Sequence, residues 1–348
     1  MRASARASMV GMRSPLQGGL PPADAVAGPV VEIACDESGF SGTNLLDPAT
    51  PVITHASVDL GVDEAAALIG ELRVSAHELK SGQFLRRPDA DAPRFLRALT
   101  GRALVHLVDK EFFLVTRIVD LLLAEPTYAA GTRLTRHHRP PALALYRAGR
   151  TAGKDWHAFL AAFVELVRTK RPGPLDRRVQ RFFQTRDALA RHGLGPAERA
   201  VLDRLTEPHV RAVVTRLDND DRSIPPPLEP LLPALAETVL SWSGGRRQVL
   251  VIHDEQSALT ADRLTRLQRA LTDDDGLSPL AGLLMADSRD DPRVQVADLL
   301  AGMARRSPAL VGGALLSPTS LRDPAQPTAE TRKAPHLREG PCRPSGGG

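Results

Sequence analysis

Cysteine, lysine and aromatic residues are scarce in this chain. Two cysteines in 348 residues, Cys35 and Cys342, cannot build a disulfide framework or a thiolate metal site, each of which needs several sulfurs at close spacing. A reducing, cytoplasmic setting is expected. Aromatics make up 4% of the chain, so the core must be mostly Leu, Val and Ala, and few rings are available for the bases of a single strand to stack on. No uninterrupted apolar run reaches the roughly 18 residues that a membrane span needs. Neither a Walker loop nor a Gly-x-Gly-x-x-Gly turn occurs, which leaves ordinary nucleotide hydrolysis and dinucleotide binding unsupported. Gly-x-Ser-x-Gly is also missing, so Ser38 is not read as a nucleophile.

Of 45 basic residues, 40 are arginine and only five are lysine: Lys80, Lys110, Lys154, Lys170 and Lys333. Together with abundant Ala and Pro, that skew reflects a GC-rich genome more than a function. The distribution of charge is more informative. Residues 131–222 hold 19 Lys and Arg against 10 Asp and Glu, while the whole chain carries only +4. One region is basic and the remainder acidic. The basic region is read either as a solvated helical surface or as a surface that follows phosphates.

The pattern predicts an α/β protein. Residues 1–28 lack periodicity and read as a disordered leader. Residues 29–125 read as the first half of an α/β core: strands over 31–39, 52–60 and 103–108, and helices over 64–74 (capped by Asp63), 92–100 and 112–124. Residues 126–235 read as an all-helical, Arg-rich insertion with breaks at Pro140-Pro141, Pro172, Pro174 and Pro225-Pro226-Pro227. Residues 236–310 resume the core, with strands over 248–252 and 280–285 and a last helix over 292–306 opened by Pro292. On that helix Asp291, Gln295, Asp298, Gly302 and Arg305 share one face. Residues 311–348 read as a disordered tail.

Three acids stand out by position: Asp36 at the end of the first strand, Asp254 at the end of a later one, and Asp298 mid-helix. Ligands of open α/β sheets gather at the carboxyl ends of strands. Carboxylates there can bind Mg²⁺ or Mn²⁺, and two such ions ~4 Å apart activate water against a phosphodiester. Each acid also has a plainer reading, as a cap, a turn residue or an ion-pair partner of Arg. Glu37 and Glu255 should point away from their neighbours along an extended chain. Lys80 and Lys110 are either solvated or phosphate-holding, and His253 is more plausibly core than general base. A structural cleft should pair the three Asp with Arg or Lys, whereas a catalytic one should leave them under-neutralised, with raised pKa values.

The run Asp36-Glu37-Ser38-Gly39, then Glu78-Leu79-Lys80, Val108-Asp109-Lys110, His253-Asp254-Glu255 and Gln295-Val296-Ala297-Asp298, resembles the bacterial family known as domain of unknown function 3800. The resemblance spans roughly residues 30–306 and implies a ribonuclease H-like mixed sheet flanked by helices. It implies Asp36, Asp254 and Asp298 as ligands of Mg²⁺ or Mn²⁺; Glu37 or Glu255, and Lys80, are expected to assist as further catalytic residues. Lys80, Lys110 and Gln295 would meet substrate. A fourth acid expected after the first hairpin could be Glu71 or Glu78, or its role could have passed to Lys80. The expected activity is that of a metal-dependent nuclease or phosphodiesterase acting on DNA or RNA. The alternatives are a non-catalytic nucleic-acid-binding or regulatory protein of a mobile-element or phage-defence system, and a hydrolase of a small phosphorylated metabolite.

Overall fold

The computed structural model describes residues 18–22, 29–40, 42, 44–72, 81–84, 92–170, 173–272 and 276–325. Its apolar runs become β1 (Val30–Ser38), β2 (Val52–Val58), β3 (Ala103–Asp109), β4 (Gln248–Asp254) and β5 (Leu280–Ala286). They form one five-stranded sheet in the order β3-β2-β1-β4-β5. β1, β2 and β3 pair antiparallel, whereas β1, β4 and β5 run parallel. Parallel neighbours need long crossovers, and helices supply them.

Between β2 and β3 lie α1 (Val62–Glu71), α2 (Ser81–Phe84) and α3 (Ala92–Ala98). Between β3 and β4 come α4 (Lys110–Leu122), α5 (Arg139–Gly149), α6 (Lys154–Leu166), α7 (Leu175–Ala190), α8 (Pro196–Asp203), α9 (Glu207–Asp218) and α10 (Leu231–Ser243). α11 (Ala261–Leu271) joins β4 to β5, and α12 (Pro292–Arg306) and α13 (Pro308–Leu315) follow.

Strand alternation divides the sheet into two faces. Ala34, Ala56 and Ile252 pack with Val296, Leu299 and Leu300 of α12. Ile33, Cys35 and Val251 pack with Leu235 of α10 and Leu264 of α11. A third core gathers Phe159, Phe163 and Phe182 from α6 and α7, and it reaches Ile53 and Val108 of the sheet. The helices between β3 and β4 are therefore packed onto the sheet and are not a tethered body. Some of the arginine here is structural: Arg178, 2% exposed, donates to the carbonyls of Leu166 and Gly173 and pairs with Asp218.

Local expectations fail where tertiary partners intervene. α1 is capped through Gly61, whose N–H donates to the Glu64 carboxylate at 2.8 Å, and not by Asp63. Pro140 and Pro141 lie in the first turn of α5 and do not break it, because that turn has no use for their missing N–H.

Residues 18–22 and 311–325 are ordered, contrary to the expected disorder. Leu20 exchanges two hydrogen bonds with Leu283 of β5, at 2.8 and 2.7 Å. At the other edge Ser317 donates to Val105, Leu321 donates to Leu107, and Asp109 donates to Leu321, at 2.7, 2.8 and 2.9 Å. Exposed strand edges leave backbone groups unpaired, and these segments satisfy them.

α12 lies close to α2 because Gly302 has no side chain. A Cβ there would stand 1.9 Å from Ser81 Oγ and 2.5 Å from Ser81 Cβ. Gly302→Val is expected to cost about 2–3 kcal/mol through overpacking. Gly313→Ala, where a Cβ meets nothing within 4 Å, should stay within about 0.5 kcal/mol. Urea unfolding midpoints of the two variants check the difference.

Candidate functional site

β1 is paired on both sides, so its last residues are held firmly at the carboxyl rim of the sheet. Asp36 follows Ala34 by two residues and shares its face, towards α12. Asp254 follows Ile252 in the same way, and the register that pairs Cys35 with His253 brings Asp36 and Asp254 side by side. Asp298 comes from α12, on a partly exposed stripe with Asp291, Gln295 and Arg305, between buried Val296, Ala297, Leu299 and Leu300.

Asp36 is 6% exposed. Burial raises its carboxyl pKa well above the usual range, and the negative charges of Glu37, Asp298 and Asp254 raise it further; one hydrogen bond, from the Glu37 N–H to Oδ1 at 2.7 Å, acts in the opposite sense. Acids from a central strand, its parallel neighbour and a crossing helix thus form one electrostatic group. Asp254 Oδ1 accepts the Ser288 N–H at 3.2 Å, which ties the end of β4 to the turn before α12.

The donor set is all carboxylate oxygen, the chemistry that hard divalent cations take. Its spacing is looser than a finished metal centre: among the described residues no group of three or more His, Cys, Asp or Glu is placed to hold a metal ion. The expected three-aspartate cage is not formed among the described residues.

The other expected residues divide. Glu37 turns to the opposite face, towards α10 and α11, where its Oε1 accepts from Gln256 at 2.6 Å and its buried Oε2 has no hydrogen-bond partner. His253 shares that face: its Nε2 lies 4.0 Å from Glu37 Oε2 and 3.2 Å from Nε2 of His55, whose Nδ1 meets Thr238 Oγ1 at 2.9 Å. Nearby Glu229 is pushed up to about 7, chiefly by burial, with the Glu37 charge adding to the rise. These groups form a polar layer behind the sheet, separate from the three aspartates.

Lys110 opens α4, its Nζ donating to Thr50 Oγ1 at 3.1 Å. Glu255 is exposed and Gln295 half-buried. Glu71 pairs with Arg94 on the surface at 2.9 Å. Lys80 and Glu78 lie outside the described residues.

Periodicity had no means of exposing two contacts. His55 against His253 joins residues far apart in the chain, and the motif that holds His253 gives no sign of His55. Arg305 Nε donates to Ser38 Oγ at 2.9 Å; the polar stripe of α12 includes Arg305, but its approach to the first strand depends on tertiary packing.

No protein-family model, curated protein or solved structure matches the chain. The residues and their geometry alone bear on function.

The position of Asp36 has a consequence for stability. With its pKa raised, the native state holds a proton that the unfolded chain has already lost, between the unfolded value near ~3.9 and the raised one. Stability therefore falls as pH rises through that window. Asp36→Asn is expected to raise the melting temperature at pH 7 by roughly 2 °C or more, with the gain shrinking as pH falls towards about 4. Calorimetry across that range checks the sign.

Proposed function

We propose that this protein is a metal-dependent nuclease or phosphodiesterase of ribonuclease H-like fold, related to the domain of unknown function 3800. Its site is the rim where Asp36, Asp254 and Asp298 meet. The observation that carries this proposal is the state of Asp36: its carboxyl is pushed up first by burial and then by three other acids, with no Arg or Lys contributing to the shift. A purely structural cleft would neutralise such a group with a cation of its own, because uncompensated like charges are costly in low dielectric. Perturbed carboxylates at a strand rim are a recurrent mark of chemistry. The mixed sheet, with acids on its first strand, on a parallel neighbour and on the last long helix, supports the fold assignment.

Bound Mg²⁺ or Mn²⁺ would supply a lowered pKa for attacking water and charge stabilisation at the phosphorus. Asp36, Asp254 and Asp298 would hold it. Asp36 must lose its proton to do so, which couples loading to pH. The Ser288 N–H orients Asp254, and the buried flank of α12 fixes Asp298.

The helical region between β3 and β4 supplies the contact with the nucleic-acid backbone, through fewer residues than its composition suggests. Many of its arginines are spent in ion pairs, among them Arg147 with Asp323, Arg181 with Glu165, Arg186 with Asp187, Arg211 with Asp176 and Arg216 with Asp221. Arg168, Lys170 and Arg177, around the turn from α6 to α7, are exposed and have no ion pair among the described residues. Binding should weaken with salt, and the triple variant Arg168→Gln, Lys170→Gln, Arg177→Gln should lower the log–log salt slope by about 2–3. An unchanged slope by fluorescence anisotropy would remove this surface from the interface.

The activity itself is tested on labelled single- and double-stranded DNA and RNA with Mn²⁺ or Mg²⁺. Wild type is expected to cleave at least one of them, and Asp254→Asn and Asp298→Asn to lose about 100-fold or more of that rate, each with an unchanged circular dichroism spectrum. Equal cleavage by wild type and both variants would place the activity elsewhere.

A further inference from the structure

Among the described residues, one guanidinium reaches the end of β1 without a carboxylate of its own. Arg305 lies seven residues after Asp298, two turns further along the same stripe of α12. Its Nε donates to Ser38 Oγ at 2.9 Å. The strand is shaped to receive it: at Gly39, φ +92°, a Cβ would stand 2.6 Å from Arg305 Cδ and 2.6 Å from the Val52 carbonyl. Any other residue at 39 would be strained and would push the guanidinium off the strand end.

Arg305 is half-buried, and among the described residues it has no carboxylate partner, unlike Arg293 on the same helix, which pairs with Asp291 and Glu32. Lys110 feels the positive charge of Arg305 as well as the stronger, opposite charge of Asp47. Lys110 is held on Thr50 at 3.1 Å. Two cations brought together at the mouth of a strand, one of them without a matching acid, cost free energy unless an anion joins them.

We propose that Arg305, positioned by Ser38 and supported by Lys110, is a phosphate-anchoring residue that holds an oxyanion of the ligand beside the aspartate rim. This deepens the nuclease proposal and rests on it for the identity of the ligand, either a nucleic-acid phosphodiester or a free phosphate group. Arginine suits the role because its planar fork binds two phosphate oxygens at once. With Nε engaged by Ser38, the two terminal amino groups remain for the anion. Gly39 thereby acquires a reason that the opening motif does not itself disclose: it clears the path of the arginine.

The test measures binding apart from cleavage. A fluorescein-labelled 20-nucleotide single strand, and the matching duplex, are titrated with the full-length protein in EDTA at several salt concentrations. Protection against thermal unfolding by inorganic phosphate is measured in parallel. Arg305→Ala is expected to weaken oligonucleotide binding about tenfold and lower the salt slope by about 1, with Arg305→Lys recovering only part of the affinity. Ser38→Ala, which keeps the charge and loses its anchor, should weaken binding by a few-fold with no change in slope. Equal affinity and slope for wild type and Arg305→Ala, with wild type still cleaving in metal, would overturn the anchor and leave the nuclease proposal standing. Phosphate protection that vanishes in Arg305→Ala, with no oligonucleotide bound by wild type, would keep the anchor and reject the nucleic-acid ligand. Absence of both signals in wild type would reject both.

Discussion

The packing of the sheet fixes a carboxylate where a carboxylate is expensive. Asp36 ends the apolar part of β1, a strand paired on both sides, and its neighbours across the rim are further acids. Hydrophobic packing fixes that position: Ile33 and Cys35 are buried on one face, Ala34 on the other, and a slip of one residue would exchange the faces. The sheet therefore holds Asp36 in place against its own electrostatics. Such opposition persists only where the surrounding structure is stable enough to absorb it, and the three cores around the sheet supply that stability.

α12 is the second determinant. It lies across the sheet through Val296, Leu299, Leu300 and Met303, and it presents Asp298 and Arg305 at the rim. Two glycines make the approach possible, Gly302 against Ser81 and Gly39 against Arg305. One helix thus carries a carboxylate and a guanidinium two turns apart on one stripe, the first acting on Asp36 and the second reaching Ser38. Behind the sheet, Glu37, His253, His55 and Thr238 form a separate polar layer. Consecutive residues of a strand, Asp36 and Glu37, therefore serve opposite sides.

Much of this was legible in the sequence because it rests on short-range periodicity. The alternation in residues 31–36 specifies a strand, the spacing of Asp291, Gln295, Asp298 and Arg305 specifies a polar helical stripe, and position at strand ends singles out Asp36 and Asp254. Long-range pairing was not legible. Nothing local indicates that residues 18–22 would seal the β5 edge or that Leu321 would run beside β3, since both serve strands far away in the chain. Nor does composition reveal that Arg178 is buried on carbonyls or that Arg211 and Arg216 are matched by acids, so the net charge of residues 131–222 overstates the free positive surface. Position along the strands and the last helix singles out the three aspartates, while whether they close on one another depends on packing, and among the described residues no group of three is placed to hold a metal ion.

The most direct test is calorimetric titration of the full-length protein with MnCl₂ in two buffers of different ionisation enthalpy, at pH 6 and pH 8. If the raised carboxyl of Asp36 belongs to a cation site, binding should release a measurable fraction of a proton, more at the lower pH, and Asp36→Asn should abolish the release. Binding with no buffer dependence at either pH, or release that survives in Asp36→Asn, would contradict the assignment of this rim as the metal-dependent site.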